Sequence, residues 1–86
     1  EGAHIERELM LIKVKASGAQ RADIARTVDI FRGQIVDQTA TVFTIQITGA
    51  GEKLDAFIAA LGESVVLEVA RTGVSGIARG DKTLAL

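Results

Sequence analysis

The sequence predicts an α+β sandwich: one four-stranded antiparallel sheet with two helices on a single face. Three observations carry that expectation. The stretch 34–49, QIVDQTATVFTIQITG, alternates apolar and polar residues as paired strands do. Two other stretches carry an apolar stripe at helical spacing. Strand-like runs precede the first of these and follow the second. The order is then strand, helix, strand, strand, helix, strand.

Residues 1–8, EGAHIERE, are polar and broken by Gly2, and read as a linker or leading arm. The domain proper is expected over 9–70. Leu9 to Ala16 opens it as a strand, with Met10, Ile12 and Val14 on one face. Leu9 and Leu11 lie on the other, followed there by Lys13 and Lys15. Apolar residues on both faces suit a central strand, or one whose second face is covered. Ser17-Gly18 breaks the run, and Ser17 with Gln20 has the spacing of a capping box. A helix follows over Arg21 to Arg32, with Ile24, Val28 and Phe31 on its stripe. Gly33 stands where a helix stop is wanted.

Ile35 and Val36 begin the next strand, with Asp37 to Ala40 as turn or edge. No Asn-Gly or Asp-Gly pair fixes that turn. Phe43, Ile45 and Ile47 then alternate with Thr44, Gln46 and Thr48. Gly49-Ala50-Gly51 leads into a second helix over Glu52 to Leu61, where Leu54, Phe57, Ile58 and Leu61 give the i, i+3, i+4, i+7 pattern. Gly62 closes it. Ser64 to Ala70 is the last strand, with Val65, Leu67 and Val69 on one face and Val66, Glu68 and Ala70 on the other. Right-handed crossovers around the hairpin give the split βαβ, or ferredoxin-like, arrangement, with the first and third strands central. A three-stranded core with the last strand swapped to a neighbour is the alternative. The tail 71–86, RTGVSGIARGDKTLAL, has three glycines and no clean period. It reads as a lid, an extra short strand or an extension, anchored by Val74, Ile77 and Leu84.

The totals narrow the function. Eighty-six residues make one domain with a thin core. Ten basic against 11 acidic residues leave a formal charge of −1, which favours neither nucleic acid nor an anionic membrane. There is no Cys, so disulfides and thiolate metal sites are excluded. No apolar run is long enough to cross a membrane, and a cytoplasmic location is the default expectation.

Catalytic candidates are poor. His4 is the single His and sits in the leading arm, so Ser17, Ser64 and Ser75 have no base nearby in sequence. No acid lies in a strongly apolar run that would raise its pKa. Asp37, which interrupts a strand, is best read as solvent-facing or turn-forming. Gly49-x-Gly51 lacks the further residues of a nucleotide loop, although a helix start there favours an anion. The RNA readers that share this element order need exposed aromatics on the open sheet face. Here that face is expected to carry Leu9, Leu11, Val42, Val66, Thr44 and Lys13, an aliphatic platform suited to protein. It is expected to pack on another chain, unless the tail folds back over it.

Several runs resemble one family: ERELMLIKVKA at 6–16, IFRGQIVD at 30–37, TGAGEKLDAFIAAL at 48–61 and LEVARTGVSGIARGDK at 67–82. In order and without a large gap, they are similar to the second domain of the regulatory (small) subunit of acetolactate synthase. The resemblance implies an ACT-like, non-catalytic domain. Its partner would be the catalytic large subunit, which holds thiamine diphosphate, magnesium and a flavin and joins two 2-oxoacids with loss of carbon dioxide. The domain itself would hold no cofactor. Small-subunit self-association, as a homodimer or higher, is implied too, as is a branched-chain amino acid site, usually for valine, on the first domain. Candidate contacts with the partner are Arg71, Arg79, Asp81 and Lys82 of the tail, together with Leu9, Leu11, Val42 and Val66 of the open face. The competing expectation is an amino-acid sensor, with its ligand between subunits at Ser17-Gly18 and Gln20-Arg21.

Overall fold

The computed structural model describes residues 7–72. Six elements run in the predicted order: β1 (Glu8–Lys15), α1 (Gln20–Ile30), β2 (Gln34–Gln38), β3 (Val42–Gly49), α2 (Gly51–Leu61) and β4 (Val66–Arg71), with a 3-10 turn at Glu63–Val65 before β4. The sheet is antiparallel throughout, in the order β2-β3-β1-β4. β1 and β3 are therefore central, as their two-sided apolar content requires. The last residue of the leading arm, Glu8, already belongs to β1.

Both helices lie on one face. Cross-strand pairs Met10–Ile47, Ile12–Ile45 and Val14–Phe43 form the floor of the core. Ile24 and Val28 of α1 and Leu54 and Phe57 of α2 close it from above. Phe57, Met10, Ile12, Ile45, Ile47, Leu54 and Val14 are wholly shielded, and each such side chain stabilises the fold by about 1.5–3 kcal/mol over its exposed state. Phe31 and Phe57 meet with ring centroids 5.3 Å apart and planes tilted by 59°, which locks α1 to α2.

The helix ends differ from the expectation. No Ser17–Gln20 capping box forms. Ala19 is the N-cap, without a side-chain bond, and the chain turns through Gln20 N–H to Ser17 O (3.2 Å) and Arg21 N–H to Gly18 O (3.3 Å). At the other end of α1, Arg32, not Gly33, takes the left-handed backbone, with φ 62°. Arg32 N–H reaches Asp29 O at 3.0 Å and Gly33 N–H reaches Val28 O at 2.9 Å, the paired bonds of a Schellman stop. Gly33 serves closeness instead. A Cβ there would lie 3.3 Å from Gln46 O and from a Val28 methyl. Gly62, at φ 92°, ends α2 as expected.

The hairpin turn is made by Thr39. Its Oγ1 accepts from the N–H groups of Thr41 (3.3 Å) and Val42 (3.1 Å), and its own N–H reaches Val42 O at 2.8 Å. A threonine hydroxyl thus replaces the glycine turn that the sequence lacks. Val36 is an extra residue in β2, between the Ile35–Ile45 and Asp37–Thr44 pairs, and is half exposed.

The last strand carries the main correction. Its register slips opposite Lys13 and Val14, so that Glu68 pairs with Lys13 but Val66 pairs with Val14. A strict alternation from Val65 puts Val66 beside Glu68 and Ala70 on the open face. The bulge returns it to the helix side, where Val66 and Val65 pack on the core. Val69, paired with Ile12, shares that side near the sheet edge.

Candidate functional site

The open face is built by the residues of β1 and β3 that alternate with the core set. Leu9 pairs with Thr48, Leu11 with Gln46, Lys13 with Thr44, and Lys15 with Val42. β4 adds Ala70 opposite Leu11 and Glu68 opposite Lys13. This surface is less apolar than the expected platform. Val66 has left it, Leu9 is 7% exposed, and Leu11 and Val42 are half-buried. Among the described residues, the large apolar side chains most open to solvent are elsewhere: Ile30 at the end of α1, Val36 on one edge strand, and Leu67 and Val69 on the other. A concavity of about 530 Å³ does lie on the open face, between Leu11, Lys13, Thr44, Glu68 and Ala70.

Arg71 ends β4 and holds carboxylates of its own chain. Nε and Nη2 donate to the two oxygens of Glu8, and Nη1 donates to Asp55 Oδ1. The bonds to Glu8 and then Asp55 hold its guanidinium above the ordinary arginine pKa. Three of its five N–H groups are committed in this way. Glu8 Oε2 also comes within 3.1 Å of where a Gly51 Cβ would stand. The anion near the α2 start, the place marked by Gly49-x-Gly51, is thus the chain's own carboxylate. Lys53 folds back to donate to Thr48 O at 3.0 Å.

Sequence reasoning missed the role of Arg21. Its Nη1 donates to the carbonyls of Ala16 (2.8 Å), Thr39 (2.8 Å) and Ala40 (3.0 Å), and its Nη2 to Gln38 Oε1 at 2.7 Å. The guanidinium carbon sits 4.4 Å above the centre of the Phe43 ring. One side chain thereby ties the end of β1 and the start of α1 to the hairpin turn. The only signal in the sequence was a cation at a helix start, where the helix dipole disfavours one. At the loop marked for an amino acid, this arginine is turned onto its own chain.

Arg79, Asp81 and Lys82, and likewise His4, Val74, Ile77 and Leu84, lie outside the described residues. Among the described residues no group of His, Cys, Asp or Glu is arranged to hold a metal ion, and no helix is long and apolar enough to cross a membrane.

Fold and surface together define the class: a ferredoxin-like, ACT-like domain presenting one open antiparallel face. The chain belongs to the acetolactate synthase small-subunit family and corresponds to that subunit's C-terminal domain. The family model described as "Small subunit of acetolactate synthase" matches residues 7–80. The isozyme 3 small subunit of Salmonella typhimurium is 52% identical over 85 residues, covering 98% of this chain and 52% of that protein. The acetolactate synthase small subunit of Haemophilus influenzae is 51% identical over 85 residues, with the same coverage. The crystal structure of the Thermotoga maritima small subunit superposes with a TM-score of 0.75 at 45% identity, over 80% of this chain and 42% of that one. The chain thus spans about half the length of the curated relatives it matches.

Proposed function

We propose that this domain is a non-catalytic regulatory module that binds the catalytic subunit of acetolactate synthase and raises its activity, in the making of branched-chain amino acids. The observation that carries the reading is the similarity to small subunits over 98% of the chain. Such a module acts by preferring one state of its partner. A coupling of about 1–3 kcal/mol is enough for a several-fold to hundred-fold effect. The half-buried Leu11 and Val42 of the open face, with Arg79, Asp81 and Lys82 of the tail, are the proposed contacts. Arg71 joins them only through the donors that Glu8 and Asp55 leave over. The feedback site for valine belongs, on this reading, to the subunit's other domain, so titration of this chain with valine is expected to give no heat of binding.

Reconstitution tests it. The chain is added in increasing amounts to the purified catalytic subunit and acetolactate formation is followed. A saturable, several-fold rise is expected, weakened by Arg79→Ala. No rise and no binding at saturating chain would remove the reading.

A further inference from the structure

We propose that the tail, which lies outside the described residues, docks back onto the open sheet face of its own chain, seating Ile77 beside Leu11 and Ala70 and setting Arg79 over Glu68. β4 runs into Thr72, which stands across from Leu9 and is fastened to it by two hydrogen bonds, Thr72 N–H to Leu9 O at 3.0 Å and Leu9 N–H to Thr72 Oγ1 at 3.1 Å. The chain therefore leaves the sheet at the level of Leu9, a residue of the open face. At least fourteen residues follow, 73–86. Gly73 and Gly76 give the first four of them the freedom to reverse direction.

Three features favour this occupant. Leu9 is only 7% exposed, although alternation points it away from the helices and it stands outside the core beneath them. Its shielding therefore comes from the open side of the sheet, where the tail begins. The reach also fits. Ile77 is five residues beyond Thr72, a contour of at most about 17 Å. Its seat beside Leu11 is two residues along β1 and about 10 Å above the sheet, roughly 12 Å away in all. Arg79, two residues further, then stands over the next pair on that face, Lys13 and Glu68. The chemistry is complementary as well. The concavity of about 530 Å³ has Leu11 and Ala70 in its lining and accommodates an isoleucine side chain. Glu68 is 73% exposed and its contact with Lys13 is long, at 3.5 Å, so its carboxylate is available to an arginine fork. A short tether also gives the tail an effective concentration of about millimolar, so it takes the face ahead of a separate molecule of equal affinity at about micromolar concentration. On the regulatory reading, Leu11 is open to the catalytic subunit only once the tail has left it. The docking itself does not rest on that reading.

The chain has no cysteine of its own, so disulfide closure tests the docking in the free protein. Glu68→Cys is combined with Arg79→Cys, with Ile77 kept as the anchor. In a second protein Ala59→Cys, at an exposed position of α2 across the sheet, is combined with Arg79→Cys. Both are oxidised at low protein concentration, and closure within the chain is timed by mass spectrometry. The open-face pair is expected to close about tenfold faster than the α2 pair, and adding Ile77→Asp is expected to remove that advantage. Residues 59 and 68 are exposed, and circular dichroism checks that the variants keep the fold. An open-face pair that closes no faster than the α2 pair overturns the proposal. Closure that is indifferent to Ile77→Asp, or that joins two chains instead of one, overturns it equally.

Discussion

Arg71 and Glu8 are joined by two parallel hydrogen bonds, Nε to Oε1 and Nη2 to Oε2, each 3.0 Å long. Glu8 opens β1 and Arg71 ends β4, so the fork fastens the sheet where the chain enters and leaves it. Nη1 extends the clamp to Asp55 of α2 at 2.8 Å. Thr72 continues the closure, donating its N–H to Leu9 O at 3.0 Å while its hydroxyl accepts from Leu9 N–H at 3.1 Å.

Replacing Arg71 by Ala is expected to lower stability by about 1 kcal/mol, a modest figure because the pair is partly solvated. Arg71→Lys is expected to recover only part, since an ammonium cannot match both oxygens. Urea denaturation measures both. The raised pKa of Arg71 gives a contribution fully present below its unfolded value and lost only as pH rises through its folded value. Both lie beyond the neutral range, so Arg71 itself adds no pH dependence there.

Arg21→Ala removes four hydrogen bonds and the cation over Phe43, and leaves three carbonyls without their shared donor. The expected cost is about 1–3 kcal/mol, with faster amide exchange at Val42 and Thr41 as the turn loosens. Unchanged exchange there would show that the turn stands on Thr39 alone.

Positions 32 and 33 are expected to respond in opposite directions. Arg32→Gly relieves a left-handed residue and is expected to stabilise by about 1 kcal/mol. Gly33→Ala presses a methyl against Gln46 O and Val28 and is expected to destabilise. Thermal melts of the two variants read the signs directly.

Phe57→Ala opens a void beneath both helices and removes the ring stacked on Phe31. The expected loss is about 3–5 kcal/mol. Against the roughly 5–15 kcal/mol typical of a domain that is a large share of the total, and a thermal melt should show the midpoint lowered by about 12 °C or more.

Much of the fold was legible because hydrophobic period is local. Met10, Ile12 and Val14 could be assigned to one face, and Leu54 and Phe57 to one stripe, by counting along the chain. The candidate surface was less so. Val66 was misplaced because a bulge, which no residue type announces here, shifts the faces of β4 by one. Leu9 was placed on the open face by alternation, which does not report that it is 7% exposed there. Arg71 pairs with an acid 63 positions away, and such a partner has no signature in spacing.

By itself the sequence determined the element order, the two central strands, the helix stripes, and the family through its ordered runs from 6 to 82. Each is written in neighbouring residues, where side-chain direction repeats every two or every 3.6 positions. Only the tertiary structure decided which charges are spent within the chain and which remain available. Arg21 and Arg71 bind their own backbone and carboxylates, while Lys13 and Glu68 meet only in a loose pair at 3.5 Å and stay largely exposed. That outcome depends on strand register, which a single bulge resets for every residue beyond it.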